Sequence, residues 1–380
     1  MTKILIISPY PPPRDGIGEH TRHLAIEWAK THQVTIMVPQ GDGDDSEHVY
    51  INKEETRAIR IARILTLTGA KQVRQYIHKL QPDIVYCQFA ISAFHSSLPS
   101  VFAALRAARQ SGARVVCGFH EPVRETAALP YIAPLLYQAA AARSDLAVCF
   151  SQAASQSMQD LAPGLPVRVV AHGIPELDKA DDEQVTAIRQ RYENRSIVLA
   201  LGFIHPDKGA DVLIDAARIL AADYPQLRPV ILIAGSVRTR KGIFKLKGRS
   251  DQIHHRKLRE QAARTLGGLV KFTEYVPPRE LPALLAATAI AVLPYRAGTQ
   301  SGIASHTLAA TLPSIASDLS GLREQLGKSA NYVPIGSAPA LAHAIAGLLT
   351  DPNSCEKMRD AARLQRDGAN YSNVAADIIA

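Results

Sequence analysis

KILIISPYPPPRDGIGEHTRHLAIEWAK, residues Lys3 to Lys30, passes from a short unbroken apolar run through a proline- and glycine-bearing turn into a segment of helical period. An unbroken run of strand length suits a parallel sheet covered on both faces. The same order recurs along the chain. In the first half it predicts strands at Lys3 to Ser8, Val34 to Pro39, Asp83 to Gln88, Arg114 to Phe119, Leu146 to Phe150 and Val167 to Val170. Helical stretches such as Glu19 to Lys30, Leu98 to Gln110 and Tyr131 to Arg143 fall between them. A second series follows at Ser196 to Leu201, Pro229 to Ala234, Leu269 to Phe272, Ile290 to Pro294 and Pro313 to Ala316. Consecutive βαβ units explain both series.

Between the series lies the polar stretch Gly173 to Arg195, GIPELDKADDEQVTAIRQRYENR. A chain of 380 residues exceeds the size at which one core stops growing, so two domains are expected. We place a Rossmann-like domain at 1–175, a linker at 176–195, a second Rossmann-like domain at 196–355 and terminal helices at 356–380. Open parallel sheets bind ligands beyond the carboxyl ends of their strands, so the active site is expected in the cleft between the domains.

Composition narrows the class. Apolar residues make up 47% of the chain and charged residues 21%, a globular balance that excludes disorder. Cys87, Cys117, Cys149 and Cys355 lack metal-ligand or C-x-x-C spacing and read as buried thiols. The first apolar run is too short for a signal peptide, and Leu281 to Leu293 is too short to span a bilayer, so a cytoplasmic protein is expected. The net charge is +8, yet Arg238 to Arg264 holds ten Lys or Arg against two acids while the rest balances at 33 against 33. Such a patch can draw the protein to phosphates, acidic glycans or the inner face of an anionic membrane, and it reads equally as a solvated loop and helix face. No nucleic-acid partner is expected.

Two turns look built for anions. Gly16 and Gly18 stand just before or at a helix start, where small residues let backbone amides approach a phosphate; a ligand-free turn is the other reading. The spacing begins like G-x-G-x-x-G, but Thr21 replaces the third glycine and no acid follows at the second strand, which argues against a dinucleotide-binding enzyme. In the second series, Gly202 to Asp211 (GFIHPDKGAD) brings Lys208 to a helix start, and Thr299, Gln300, Ser301 and Gly302 precede another helix. The acidic Asp42 to Asp45 reads as a solvated loop, and no His, Cys and Asp cluster has metal-ligand spacing.

These pieces, in this order, resemble the retaining glycosyltransferases of family 4, with the GT-B architecture of two Rossmann-like domains facing a cleft. The resembling stretches include SPYPPPRDGIGEHTRHLA, VVCGFHE, LGFIHPDKGADVLIDAARIL, TQSGIASHTLAATLPSIASDLSGLRE and YSNVAADI, and they run over essentially the whole chain. The resemblance implies transfer of a sugar from a nucleotide-sugar donor, a UDP-sugar by expectation, to an unidentified hydroxyl acceptor, without a metal or other cofactor. It implies Gly16 and Gly18 near the donor diphosphate, His120 near the donor sugar, and Lys208 neutralising the leaving diphosphate, with Gly202 and His205 in the same loop. Thr299, Gln300, Ser301, Gly302 and Ile303 would hold donor phosphate or sugar through amides, and the last helix would brace the first domain. His120 also reads simply as a satisfied histidine at a strand end.

Two departures stand out. The family commonly has two glutamates separated by seven residues before its P-x-I-A-S strand; those positions here are Gly298 and His306. The second glutamate usually recognises the ribose, and a neutral His306 could accept one hydrogen bond but not a carboxylate's pair. The arginine that commonly follows the loop glycine is Phe203 here. A sugar-nucleotide epimerase of the same fold, or a nucleotide-binding protein without turnover, therefore stays open beside the transferase.

Overall fold

The computed structural model describes residues 1–11, 16–41, 46–50, 56–237, 245–265, 268–298 and 301–380. It divides into two compact units, one formed by Met1–Gly173 with Ala369–Ala380 and the other by Ile174–Gly368.

The first unit is an eight-stranded sheet. In chain order its strands are β1 (Lys3–Ile7), β2 (Gln33–Pro39), β3 (Ser46–Tyr50), β4 (Thr56–Leu65), β5 (Ile84–Phe89), β6 (Arg114–Phe119), β7 (Leu146–Cys149) and β8 (Val167–Val169), and across the sheet they lie 3-4-2-1-5-6-7-8. Every pair is parallel except β3 with β4. Both faces are covered. Along β1, Leu5 and Ile7 enter one core with Val85, Cys87 and Cys117, while Ile4 and Ile6 enter the opposite one with Trp28, Tyr86 and Val148. That two-sided burial is why KILII carries no polar alternation.

The final helix, Tyr371–Ile379, closes the second of these cores with Tyr371, Val374, Ala375 and Ile378. Its seat is specific. Trp28 Nε1 donates to the Ala375 carbonyl at 3.0 Å, and Arg114 and Arg168 donate to the carbonyls of Ile379 and Asp377 at the helix's negative end. A Cβ on Gly173 would stand 2.4 Å from the Tyr371 ring, so the chain passes beneath that ring only as glycine.

In the second unit, β9 (Ile197–Leu201), β10 (Val230–Ala234), β11 (Val270–Thr273), β12 (Ile290–Leu293), β13 (Ser314–Ser317) and β14 (Ala330–Val333) form one sheet in the order 11-10-9-12-13-14. All its pairs are parallel. Val198 faces one core and Ile197 and Leu199 the other. The polar segment 176–195 lies wholly in this unit and is packed: Asp181 caps the helix Asp182–Arg191, and Val185 enters the core with Leu284 and Leu285. The helix Pro352–Gly368 also belongs here, and only the last helix returns to the first unit.

Candidate active site

In the second unit the neighbouring ends of β9 and β12 carry two turns in contact. Beyond β9 the chain runs through Gly202 and a short 3-10 turn, Pro206–Lys208, to the helix Ala210–Asp223. Gly209 takes φ +64°, and a Cβ there would lie 1.9 Å from the Pro294 carbonyl, so the turn rests directly on the end of β12. Arg296 stitches the same two turns: its amide donates to the Asp207 carbonyl at 2.8 Å, and its guanidinium to the Pro206 carbonyl and, bidentately, to Asp211 at 2.7 and 2.5 Å. Those bonds hold the Asp211 carboxyl below its ordinary pKa despite an opposing push from burial.

Lys208 projects its ammonium over the Tyr295 ring, 3.5 Å from the centroid. Asp207 stands 3.6 Å from His205 Nδ1 and Asp211 is engaged by Arg296. Among the described residues no carboxylate lies within ion-pair distance of Lys208, so its charge faces no fixed counter-ion.

One tyrosine's length away begins the helix Gly302–Ala309. Its N-cap is Ser301, whose Oγ accepts from the Ala304 amide and lies 3.0 Å from the Tyr295 hydroxyl. The amides of Gly302 and Ile303 precede the first intrahelical bond, from Ser305 to Ser301, and point out of the helix end. Ile303 comes close to Gly202: a Cβ on that glycine would be 3.2 Å from Ile303 Cγ1. Further along, His306 is half-buried; its Nδ1 is enclosed without a hydrogen-bond partner, and burial lowers its pKa, so the ring is neutral near pH 7.

The first unit gathers polar groups at the carboxyl ends of β1, β5 and β6. Gln88 is fully buried and bridges two histidines, its Nε2 donating to His20 Nδ1 at 3.2 Å and its Oε1 accepting from His120 Nε2. The same Nε2 donates to Thr21 Oγ1 at 2.9 Å; since Thr21 itself donates to the Ile17 carbonyl, Ser8 donates to Thr21. Rings of Phe150, His172 and Tyr371 surround His20, and His23 stacks on Tyr371. Burial first, and then the nearby His172, holds the His120 pKa down to about 3; His20 is also held well below the usual histidine range by burial and by His172, His120 and His23. Glu125, buried on the helix after β6, accepts from the amides of Ile91 and Ser92 and from Tyr137 and so fixes the loop that follows β5.

The structure thus brings Gly202, Lys208, Ser301, Gly302 and Ile303 together, with His205 turned to Asp207. Thr299, Gln300, Asp42 to Asp45 and residues 238–244 lie outside the described residues. Gly16, Gly18 and His120 belong to the first unit. Among the described residues a Cβ on Gly16 would meet nothing within 4 Å, and one on Gly18 only ordinary contacts. At Gly298, where the family's first glutamate stands, φ is +145°, a conformation that side-chain-bearing residues rarely adopt. Sequence reasoning missed Tyr295 and Gln325, which orient this site, and His20 and Gln88, which orient His120. Only His20 carried a signal, sitting inside the quoted glycine turn.

Among the described residues no three His, Cys, Asp or Glu side chains stand together as metal ligands, and no helix is long and apolar enough to cross a membrane. Two α/β domains built on parallel sheets have the GT-B architecture. Comparison with known proteins makes the class specific. Residues 14–176 match the description Glycosyltransferase Family 4 and residues 195–351 match Glycosyl transferases group 1. The chain belongs to the family 4 glycosyltransferases, which use nucleotide-sugar donors.

The GDP-mannose-dependent alpha-(1-6)-phosphatidylinositol monomannoside mannosyltransferase of Mycolicibacterium smegmatis is 24% identical over 95% of this chain and 92% of its own length. Alpha-D-kanosaminyltransferase of Streptomyces kanamyceticus is 29% identical over 52% of this chain and 48% of its own. Among solved structures, Anabaena HepE in complex with UDP-glucose superposes with a TM-score of 0.74 at 16% identity, covering 100% of this chain and 98% of that one.

Proposed function

We propose that the protein transfers a sugar from a nucleotide diphosphate to a hydroxyl acceptor with retention at the anomeric carbon, and that the second unit holds the donor. The observation that carries this reading is the Lys208 ammonium, which has no carboxylate partner among the described residues and is linked through Tyr295 and Ser301 to the helix end that bears the outward-pointing amides of Gly302 and Ile303. A cation and two helix-end amides tied by one tyrosine suit a diphosphate, whose charge grows as the sugar leaves. In the step itself the bond from the anomeric carbon to the phosphate oxygen breaks, and the bond to the acceptor oxygen forms on the same face. The acceptor's proton passes to the departing phosphate. Lys208 and the helix end take the place a metal ion would otherwise fill, and neutral His306, with Nδ1 enclosed, offers Nε2 to the ribose.

Gly16 and Gly18, at a helix start, are assigned to the donor phosphates, and His120 to the donor sugar. With Nε2–H given to Gln88, His120 offers Nδ1 as an acceptor to a sugar hydroxyl. The relatives' names divide between GDP-mannose and UDP-glucose, and we assign a UDP-sugar here. That one relative acts on a phosphatidylinositol mannoside supports an acceptor presented at a membrane, with the basic segment 238–264 facing anionic lipid.

The test is a pair of variants assayed against a panel of nucleotide sugars with excess chelator present. Lys208→Ala is expected to lower kcat by two orders of magnitude or so while donor affinity falls far less, because its charge matters most as the bond breaks. His306→Ala should show the opposite bias, weakening donor binding with a smaller effect on kcat. Equal losses of affinity and turnover in both variants, or activity that the chelator abolishes and a divalent ion restores, would refute the charge assignment.

A further inference from the structure

We infer that Tyr295 is a positioning residue for Lys208, holding the ammonium by its ring face and tying that cation, through its hydroxyl, to the end of the helix Gly302–Ala309. This rests on the donor reading above and adds to it a residue with no charge of its own.

Lysine is a point charge on a flexible four-carbon stem, and without a carboxylate it would wander. Here both ends of the stem are fixed. At its base, the turn Pro206–Lys208 is clamped to the residues on either side of Tyr295. Gly209 packs on the Pro294 carbonyl, and Arg296 bonds the carbonyls of Pro206 and Asp207 and the Asp211 carboxylate. At its tip, the ammonium lies 3.5 Å from the Tyr295 ring centroid, within the range of a cation–π contact. The ring cannot slide. Tyr295 is 3% exposed, and its hydroxyl is 3.0 Å from Ser301 Oγ.

Ser301 is in turn held at every polar atom. Its Oγ caps the Ala304 amide. Gln325 accepts from the Ser301 amide at 3.0 Å and donates to its carbonyl at 2.9 Å and to Ser305 Oγ at 3.0 Å. The ammonium and the Gly302 and Ile303 amides are thereby parts of one braced unit. Their spacing is set before any ligand arrives, and preorganised charge of this kind needs no rearrangement as the phosphate leaves.

The discriminating experiment is a double-mutant cycle on the full chain, read by calorimetric binding of UDP and GDP against uridine and guanosine, together with kcat and KM. The parent is expected to bind a nucleoside diphosphate well above its nucleoside. Tyr295→Leu should shrink that preference by about three- to tenfold and lower kcat more than it raises KM. Tyr295→Phe, which keeps the ring, should recover most of the loss. In a Lys208→Ala background, Tyr295→Leu should cost almost nothing further. If Leu unfolds the chain, Tyr295→Met, without a ring face but closer in bulk, takes its place. A Tyr295→Leu effect that persists undiminished in Lys208→Ala overturns the positioning role and leaves the donor reading standing. A parent that binds nucleoside as tightly as nucleoside diphosphate overturns the donor reading, and this role with it.

Discussion

Lys208 was singled out by its place in the stretch LGFIHPDKGADVLIDAARIL that resembles the family, since a lysine before a helix says little by itself. Tyr295 and Gln325 were not, since a tyrosine after a strand and a glutamine on a helix declare nothing until the fold sets them beside Ser301. The histidines of the first unit show the same limit. His120 stood out at the end of β6, whereas its links through Gln88 to His20 depend on strand order. These two rings give a pH prediction. Burial keeps both neutral in the folded chain, with His120 down to about 3 and His20 well below 6.5, while the unfolded chain protonates them near 6.5. The unfolded state then binds more protons, so their stabilising contribution is complete above pH 6.5 and is lost progressively as pH falls below it, by at most about 1.4 kcal/mol per pH unit for each ring. Urea midpoints should fall between pH 7.5 and 5.5, above the range where carboxylates titrate, and His120→Asn should flatten that fall. A midpoint unchanged over the interval would mean that both rings charge freely in the folded protein.

Elements with two buried faces were read directly, because a continuous apolar run has few other uses. β1, β6, β7, β8, β9, β10 and β12 all fall within the predicted stretches, and β5 runs one residue past its own, to Phe89. β3, β4 and β14 escaped. β4, TRAIRIARIL, interleaves Arg57, Arg60 and Arg63 with apolar residues, and β3 pairs antiparallel at the sheet's edge, so neither has the apolar continuity of a central strand. β14 ends the other sheet with only four residues, ANYV. The helix Lys245–Thr265 poses a question of the same order, since it carries most of the chain's excess positive charge. Arg256 pairs with Glu260 on this helix and Arg259 with Glu274 beyond it, which leaves a net basic element. Vesicles containing phosphatidylserine or phosphatidylinositol should therefore sediment the protein at low salt and release it as salt rises, each basic residue near the surface adding about 1 kcal/mol. Sedimentation that is equal with neutral vesicles would leave the helix as a solvated face.

On the scale of the whole molecule, the division into two parallel-sheet units was visible in the recurrence of strand and helix. The integration of the polar segment 176–195 was hidden, because Val185 is its one fully committed core residue and a single valine in charged surroundings reads as chance. The end of the chain repays attention for a different reason. Tyr371, Val374, Ala375 and Ile378 complete a core whose other members run from Ile4, Ile6 and Trp28 to Val148 and Val170. On a ribosome the first sheet is therefore made early and sealed last, with the entire second unit emerging in between. While the second unit is made, the part of that sheet's apolar face not covered by the helix Gly16–Ala29 waits open, a liability that invites chaperones or aggregation. A fragment of residues 1–173 should accordingly be aggregation-prone, and a peptide of residues 369–380 added during refolding should raise its soluble yield. A soluble, cooperatively unfolding fragment without the peptide would show that the face can close by itself. Vectorial synthesis thus makes the helix Tyr371–Ile379 a checkpoint: a translation product cut short before it cannot fully shield the first sheet.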